Sequence, residues 1–375
     1  MLPIIRPDIS LAEVAADVEE ILSSGTLTSG PYVARFEAEL AAALGATYAV
    51  ATTSATTALH LSLAAAGIGP GDEVLVSDFT FPASGNVIAE RGAVPVLVDS
   101  SANSFALDVT DAAAKVTSRT RAVLPVDPFG QPADLAAVER LALRHGLSVV
   151  EDAACGLGAA LDDRPCGAWA GLTCFSFHPR KVVTTGEGGA VVTSDPELAE
   201  RLVLLRNHGG VRASVGLEFV EHGFNYRLSE IPAALGLAQL RRLDEILADR
   251  RRTAARYEER LEHVAELELR RPGPREVWSY QSFVVLLEDA VDRDEVIARM
   301  RAAGIETTLG TYAMHAHPAF ARYGYRPGDL PNSWRAQRQS LTLPLLPRMS
   351  EGDVDRVVST LEEVLVGVTR TASRG

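Results

Sequence analysis

Leu147-Ser-Val-Val150 is a short apolar run that ends on two carboxylates, Glu151 and Asp152. Further along, Leu172-Thr-Cys-Phe-Ser-Phe177 is a second such run, and it leads through His178-Pro179-Arg180 to Lys181. A short apolar stretch bounded by polar or turn residues reads as a buried strand. Val74-Leu75-Val76, Val94 to Val98 and Ala122 to Val126 have the same character upstream, and Ala190 to Thr193 has it downstream. Helical patterns such as Leu135 to His145 lie between them. Buried strands alternating with helices predict an α/β fold with a mostly parallel central sheet flanked by helices. The gap between Phe177 and Ala190 is short enough for hairpin-like antiparallel pairing at that point.

Beyond Ser229 the pattern changes. Leu240, Leu243 and Leu247 fall at helical spacing and predict one helix running on to Tyr257. A strand at Phe283 to Leu287, a helix near Asp294 to Ala303 and a last helix near Asp353 to Val366 complete a smaller α/β unit. The expected division is a large unit over residues 1–245 and a small one over 246–375.

The net charge of −13 over 375 residues argues against nucleic acid or an anionic membrane as partner. Leu40 to Gly71 carries no Asp, Glu, Lys or Arg. Its Thr, Ser, Gly and Pro content nevertheless fits a buried, capped helix better than a membrane span. The first residues show no basic stretch followed by an apolar run, so no signal peptide is expected. Cys155, Cys166 and Cys174 form neither a C-x-x-C pair nor an even set, which fits a reducing cytoplasm. Of the 36 basic residues only Lys115 and Lys181 are lysine. Arginine cannot serve as an amine nucleophile, so a retained lysine is a chemical candidate.

Ligands of open α/β sheets bind outside the carboxyl ends of the strands. Glu151-Asp152 stands at such an end, where a carboxylate meets a ligand or caps the next helix. Ser176 and Lys181 follow another strand and could hold a phosphate and a carbonyl there. Thr52 to Thr57 opens the charge-free helix, where hydroxyls and free N–H groups can cap the helix, cradle a phosphate, or both. Gly67 to Gly71 and Gly186 to Gly189 match neither G-x-G-x-x-G nor the Walker pattern and read as turns. The histidines contain no H-E-x-x-H pair, and no metal site is expected.

Taken in order, these pieces resemble the DegT/DnrJ/EryC1/StrS sugar aminotransferases, a branch of the fold-type I pyridoxal-phosphate (PLP) enzymes. The likeness is carried by Thr28-Ser-Gly-Pro31, Ser54-Ala-Thr-Thr-Ala-Leu59, Gly67 to Val74, Thr80-Phe81, Gly92 to Pro95 and Gly130 to Asp134. It continues through Glu151-Asp-Ala-Ala154, Phe175-Ser-Phe177 with Lys181, Gly186 to Gly189, Asn207-His-Gly209, Gly223 to Glu230 and Leu343-Pro344.

The resemblance implies roles. Lys181 would form the Schiff base with PLP and shuttle a proton, for which its amine must be neutral. Asp152 would pair with the pyridine nitrogen. Ser176 and Thr56 would bind the phosphate, with Thr57 contributing its backbone N–H, and Phe81 rather than Phe79 would stack on the ring. Asn225 would reach the partner subunit's cofactor, implying a homodimer with shared active sites. Two departures stand out. Cys155 occupies the place of a glutamine near the ring hydroxyl, and Asp127 occupies the place of a histidine often found before the glycine.

The implied activity is transfer of an amino group from glutamate or glutamine to a nucleotide-linked keto-sugar, cycling PLP through its pyridoxamine form (PMP). Arg180, Arg227, Tyr312 and His315 are candidates for the substrate mouth. A keto-inositol (aminocyclitol) acceptor is the alternative. Sugar dehydration on the same fold is disfavoured, because such relatives carry histidine where Lys181 stands. A non-catalytic PLP-binding protein is the remaining reading.

Overall fold

The computed structural model describes residues 1–372; the last three positions of the expected second unit lie outside it. Seven strands form the main sheet. They are β1 (Tyr48–Thr52), β2 (Glu73–Ser77), β3 (Val94–Val98), β4 (Thr120–Leu124), β5 (Ser148–Asp152), β6 (Leu172–Ser176) and β7 (Gly189–Thr193). Their spatial order is β1-β7-β6-β5-β4-β2-β3. The contacts among β6, β5, β4, β2 and β3 are parallel, while β7 runs antiparallel to both neighbours. The hairpin-like pairing expected after Phe177 is therefore present, with Ser176 opposite Gly189.

Side chains alternate across a strand, and this sorts the sheet into two faces. Val74, Val76, Ala122, Leu124, Val150, Leu172 and Cys174 share a core with the helix Ala55–Ala65. Phe175 and Phe177 pack on the other face with Phe36 and Leu237, from the helices Pro31–Ala43 and Glu230–Leu240. Leu75 and Val123 meet Val138 and Leu141 of the helix Leu135–His145 on that same second face. Both faces are covered, which accounts for the unbroken apolar character of the strands.

A second, four-stranded sheet contains β8 (Leu267–Leu269), β9 (Phe283–Leu287), β10 (Thr308–Leu309) and β11 (Ser340–Leu343), in the order β8-β9-β11-β10. Its core joins Val285, Leu341 and Leu343 to Val357 and Leu361 of the terminal helix Glu351–Ala372. The charge-free stretch resolves into a helix end, β1 and the helix Ala55–Ala65. No described helix is long and apolar enough to cross a membrane.

One expectation fails here. Leu240 and Leu247 do not share a helix, because the chain breaks at Arg241-Arg242 between the helices Glu230–Leu240 and Leu243–Leu261. Arg242 leaves helical geometry (φ −110°, ψ 15°), and its guanidinium pairs with Asp8 at 3.4 Å and Glu13 at 3.2 Å. Anchoring to the N-terminal segment thus overrides the continuous apolar spacing.

Candidate active site

The face rule places two side chains together at once. Asp152 ends β5 and Ser176 ends β6; counted in twos from Val150 and Cys174, both fall on the face carrying the helix Ala55–Ala65. That helix begins at the carboxyl end of β1. A carboxylate, a hydroxyl and a helix N-terminus therefore converge at one end of the sheet.

The helix start is built by Ser54. Its Oγ accepts from Thr57 N at 3.1 Å, while Ser54 N donates to Thr57 Oγ1 at 3.0 Å, a reciprocal cap. Thr57 N–H is thus already engaged, contrary to the expectation that it serves a phosphate. The N–H groups of Ala55 and Thr56 have no acceptor among the described residues. These orphan donors at the positive end of a helix fit an anion. Ser176 Oγ accepts only a long bond from His178 N, at 3.4 Å, which leaves its proton free to donate.

Asp152 is buried. Its Oδ2 accepts from Ser84 Oγ at 2.7 Å and its Oδ1 from Ala154 N at 3.1 Å. Burial pushes its carboxyl above the usual range, while Ser84, the Ala154 N–H and the Lys181 charge pull it back. A cationic ring nitrogen beside it would add the compensation that a buried carboxylate requires. Lys181 follows β6 on a turn closed by Lys181 N to His178 O at 2.9 Å. Its Nζ donates to Cys155 Sγ at 3.1 Å, a weak acceptor that leaves the amine open to better partners.

Two residues distant in the chain hold the backbone beside Lys181 and at Cys155. Gln281 Nε2 donates to Arg180 O at 2.7 Å, and Ser279 Oγ donates to Cys155 O at 3.2 Å. Nothing in the spacing of Ser84, Ser279 or Gln281 marks them in the sequence, because each acts across the fold. Replacing Ser84 by alanine removes a bond to a charged group, worth about 1.5–3 kcal/mol. We expect kcat/KM to fall about 10- to 100-fold with little change in Tm; an unchanged kcat/KM would show that Asp152 needs no such support.

The remaining candidates are scattered. Phe81 is 65% exposed, with its ring 6.4 Å from that of Tyr312, whereas Phe79 is fully buried against Phe105 and Phe129. Arg227 donates to Asn207 Oδ1 at 2.7 Å and is bridged to Thr52, beside the helix start. Asn225 is exposed and bridged to Asn207. Arg180 is exposed and lines a small cavity with Ile4, Ser282 and Thr308.

His315 does not line a mouth. It is 3% exposed, and its Nδ1 lies 2.6 Å from Asp78 Oδ2, a pairing that fastens the Tyr312–Ala313 strand to the end of β2. Cys155 is the one partly accessible thiol among the described residues; Cys166 and Cys174 are fully buried, and burial pushes both thiols up. Limited iodoacetamide should therefore label Cys155 first, and bound PLP should slow that labelling, as read by peptide mapping. Labelling of Cys166 ahead of Cys155 would contradict this.

A strand-end carboxylate, an amine on the next loop, and orphan N–H groups at a helix start suit a PLP enzyme of the aminotransferase class. The comparisons with known proteins agree and are more specific. The chain belongs to the DegT/DnrJ/EryC1/StrS aminotransferase family, whose model matches residues 9–362. It is 39% identical to GDP-perosamine synthase of Caulobacter vibrioides over 90% of this chain and 91% of that protein. Among solved structures it resembles DesV of S. venezuelae, in complex with a ketimine intermediate (TM-score 0.89, 39% identity, covering 94% of each chain). It also resembles the PMP form of Spr1654 from Streptococcus pneumoniae (TM-score 0.94, 26% identity, covering 98% of this chain and 100% of that one). The chain is a PLP-dependent aminotransferase of the sugar aminotransferase family.

Proposed function

We infer that the chain moves an amino group from glutamate or glutamine to a nucleotide-linked keto-sugar. The observation that carries this is Lys181, one of only two lysines, braced beside the buried Asp152 at the strand ends. The relatives' names, perosamine synthase above all, supply the sugar class.

When bound, PLP supplies an electron-withdrawing ring that stabilises negative charge at the carbon bearing the migrating nitrogen. The chain's residues do the rest. Asp152, fixed by Ser84 and Ala154 N–H, would hold the ring nitrogen of the cofactor and its proton. Ser176 Oγ and the Ala55 and Thr56 N–H groups would hold its phosphate. Phe81 would cover the ring, and Lys181 Nζ would carry the proton. Cys155 Sγ gives Lys181 a weak resting partner that a stronger acceptor displaces.

The same reading includes a homodimer in cytoplasm, with Asn225 reaching the partner's cofactor phosphate. Exposed Phe219 (64%) and Val215 (90%), both on the hairpin Gly210–Phe219, support a covered face in the assembled protein. It also includes the two-domain division. The core around Phe175 takes side chains as far as Leu247 and that of the second sheet takes them from Ala254 onward, while Met314, Phe320 and Leu330 return to the core on the other face of the main sheet.

The test is the visible spectrum of the protein purified with PLP, before and after L-glutamate. A yellow Lys181-bound band that bleaches to the PMP band supports the donor half-reaction. A nucleotide-linked 4-keto-sugar should then restore the yellow band. A stable band that ignores both glutamate and glutamine would overturn the donor assignment, and restoration by a keto-cyclitol alone would overturn the sugar. Sedimentation at the 40.0 kDa chain mass rather than twice that would remove the shared site.

A further inference from the structure

On the sheet face opposite Asp152, two more carboxylates meet without a counter-charge. Glu151 alternates with Asp152 and Asp127 with Val126, so both point away from the helix Ala55–Ala65. Both side chains are fully buried (0% exposed). Asp127 Oδ1 accepts from Ala133 N at 2.9 Å. Glu151 Oε2 accepts from Thr173 Oγ1 at 2.7 Å and from Gly167 N at 3.4 Å. The other oxygen of each, Asp127 Oδ2 and Glu151 Oε1, is buried with no partner among the described residues. One oxygen of each carboxylate lies in a cluster with Cys166 Sγ, the three atoms all within 4.8 Å of one another.

Two acceptor-only oxygens cannot satisfy each other, and isolated buried charges are costly. One proton between them satisfies both. We propose that Asp127 and Glu151 share a single proton, and that this carboxyl–carboxylate pair is a positioning device that holds the end of β5, and so Asp152, from behind. The backbone carries the coupling. Asp127 N donates to Asp152 O at 3.1 Å, and Asp152 N donates to Pro125 O at 2.9 Å. The shared proton follows from the geometry alone; its consequence for the cofactor rests on the role given to Asp152.

A cation is the other way to satisfy such a cluster, and the site suits it poorly. It offers three donor groups and no imidazole, whereas a metal bound in a closed protein site takes four or more ligands. Space is also short, since a Cβ added at Gly156 would stand 2.6 Å from Asp127 Oδ2.

The titratable group facing the pair is Cys166 from the adjoining turn; Cys174 of β6, on the other face of the sheet, feels the Glu151 charge through it, and neither is cationic. Burial raises both carboxyls, and the charge of Glu151 raises Asp127 well above the usual range. The sign of the pH effect follows. Folding takes up a proton once the unfolded carboxyls have ionised, above about pH 4. The stability is fully present below that range and is lost as pH rises through the folded value.

Asp127→Asn supplies the hydrogen permanently, with its amide donating to Glu151 and its carbonyl accepting from Ala133. In the full-length, cofactor-loaded protein, the Tm of Asp127→Asn relative to wild type should climb by about 2 °C per pH unit above about pH 5, until the folded pair loses its proton. Infrared difference spectra at neutral pH should show a protonated-carboxyl band in wild type that is lost in Asp127→Asn. Asp127→Leu, which strands Glu151, should bind PLP more weakly; if it does not fold, the asparagine variant still decides the proton. Parallel Tm curves together with no carboxyl band in the difference spectrum would overturn the shared proton. So would a stoichiometric divalent metal in the purified protein. A confirmed proton with unaltered PLP affinity in a folded Asp127→Leu variant would overturn the positioning role alone.

Discussion

Lys181→Ala is expected to lose at least about 10⁴-fold in turnover while still taking up PLP reversibly. The size follows from the functions that leave with one side chain. Acid–base transfer by a positioned group is worth about 10²–10⁴-fold, and Nζ is also the covalent anchor. No spare amine stands in: the other lysine, Lys115, donates to Leu97 O and Asp111 on a different part of the surface. The phosphate cradle and Asp152 are untouched, so binding of PLP survives without the yellow band. A folded variant with full activity would remove Lys181 from the mechanism. Added methylamine should return part of the proton transfer but not the covalent attachment, which separates the two roles.

Asp152→Asn is expected to lower kcat about 10²–10³-fold, in the range seen when one preorganised electrostatic partner is removed. The amide keeps the shape, its oxygen accepting from Ala154 N and its NH2 donating to Ser84 Oγ in place of the present bond, so the fold should hold. Only the negative charge disappears, and with it the force that keeps the ring nitrogen protonated. Burial pushes the Asp152 carboxyl up while Ser84, the Ala154 N–H and the Lys181 charge pull it back, and a cationic ring nitrogen would add to that pull. The loss should therefore be larger than for Ser84→Ala, and it should fall on kcat more than on PLP affinity. A loss no greater than that of Ser84→Ala would mean that the charge contributes little beyond the hydrogen bond.

Lys181 and Asp152 were legible for different reasons. The scarcity of lysine and the strand-end position of Phe175 to Lys181 are properties of the chain read in one dimension. Choosing Asp152 over Glu151 was not. Alternation says only that the two face opposite ways, and the pairing of Asp152 with the resemblance's motif made the choice. His315 shows the converse: it was a candidate for the substrate mouth, yet Asp78, far away in the chain, claims its ring. Ser84, Gln281 and Ser279 carry no local signal, since their partners lie across the fold.

The sequence by itself determined the strands, the order of the motifs, the hairpin-like turn between β6 and β7, and the amine. Apolar run length, turn residues and residue scarcity are local quantities that a chain carries whether or not it is folded. Only folding brought Glu151 against Asp127. It also decided where the helix breaks at Arg242, and whether a polar group is exposed or bonded out of reach. Those outcomes depend on which distant segment arrives at each side chain, because burial removes the water that would otherwise satisfy a polar group and leaves only the protein to do so.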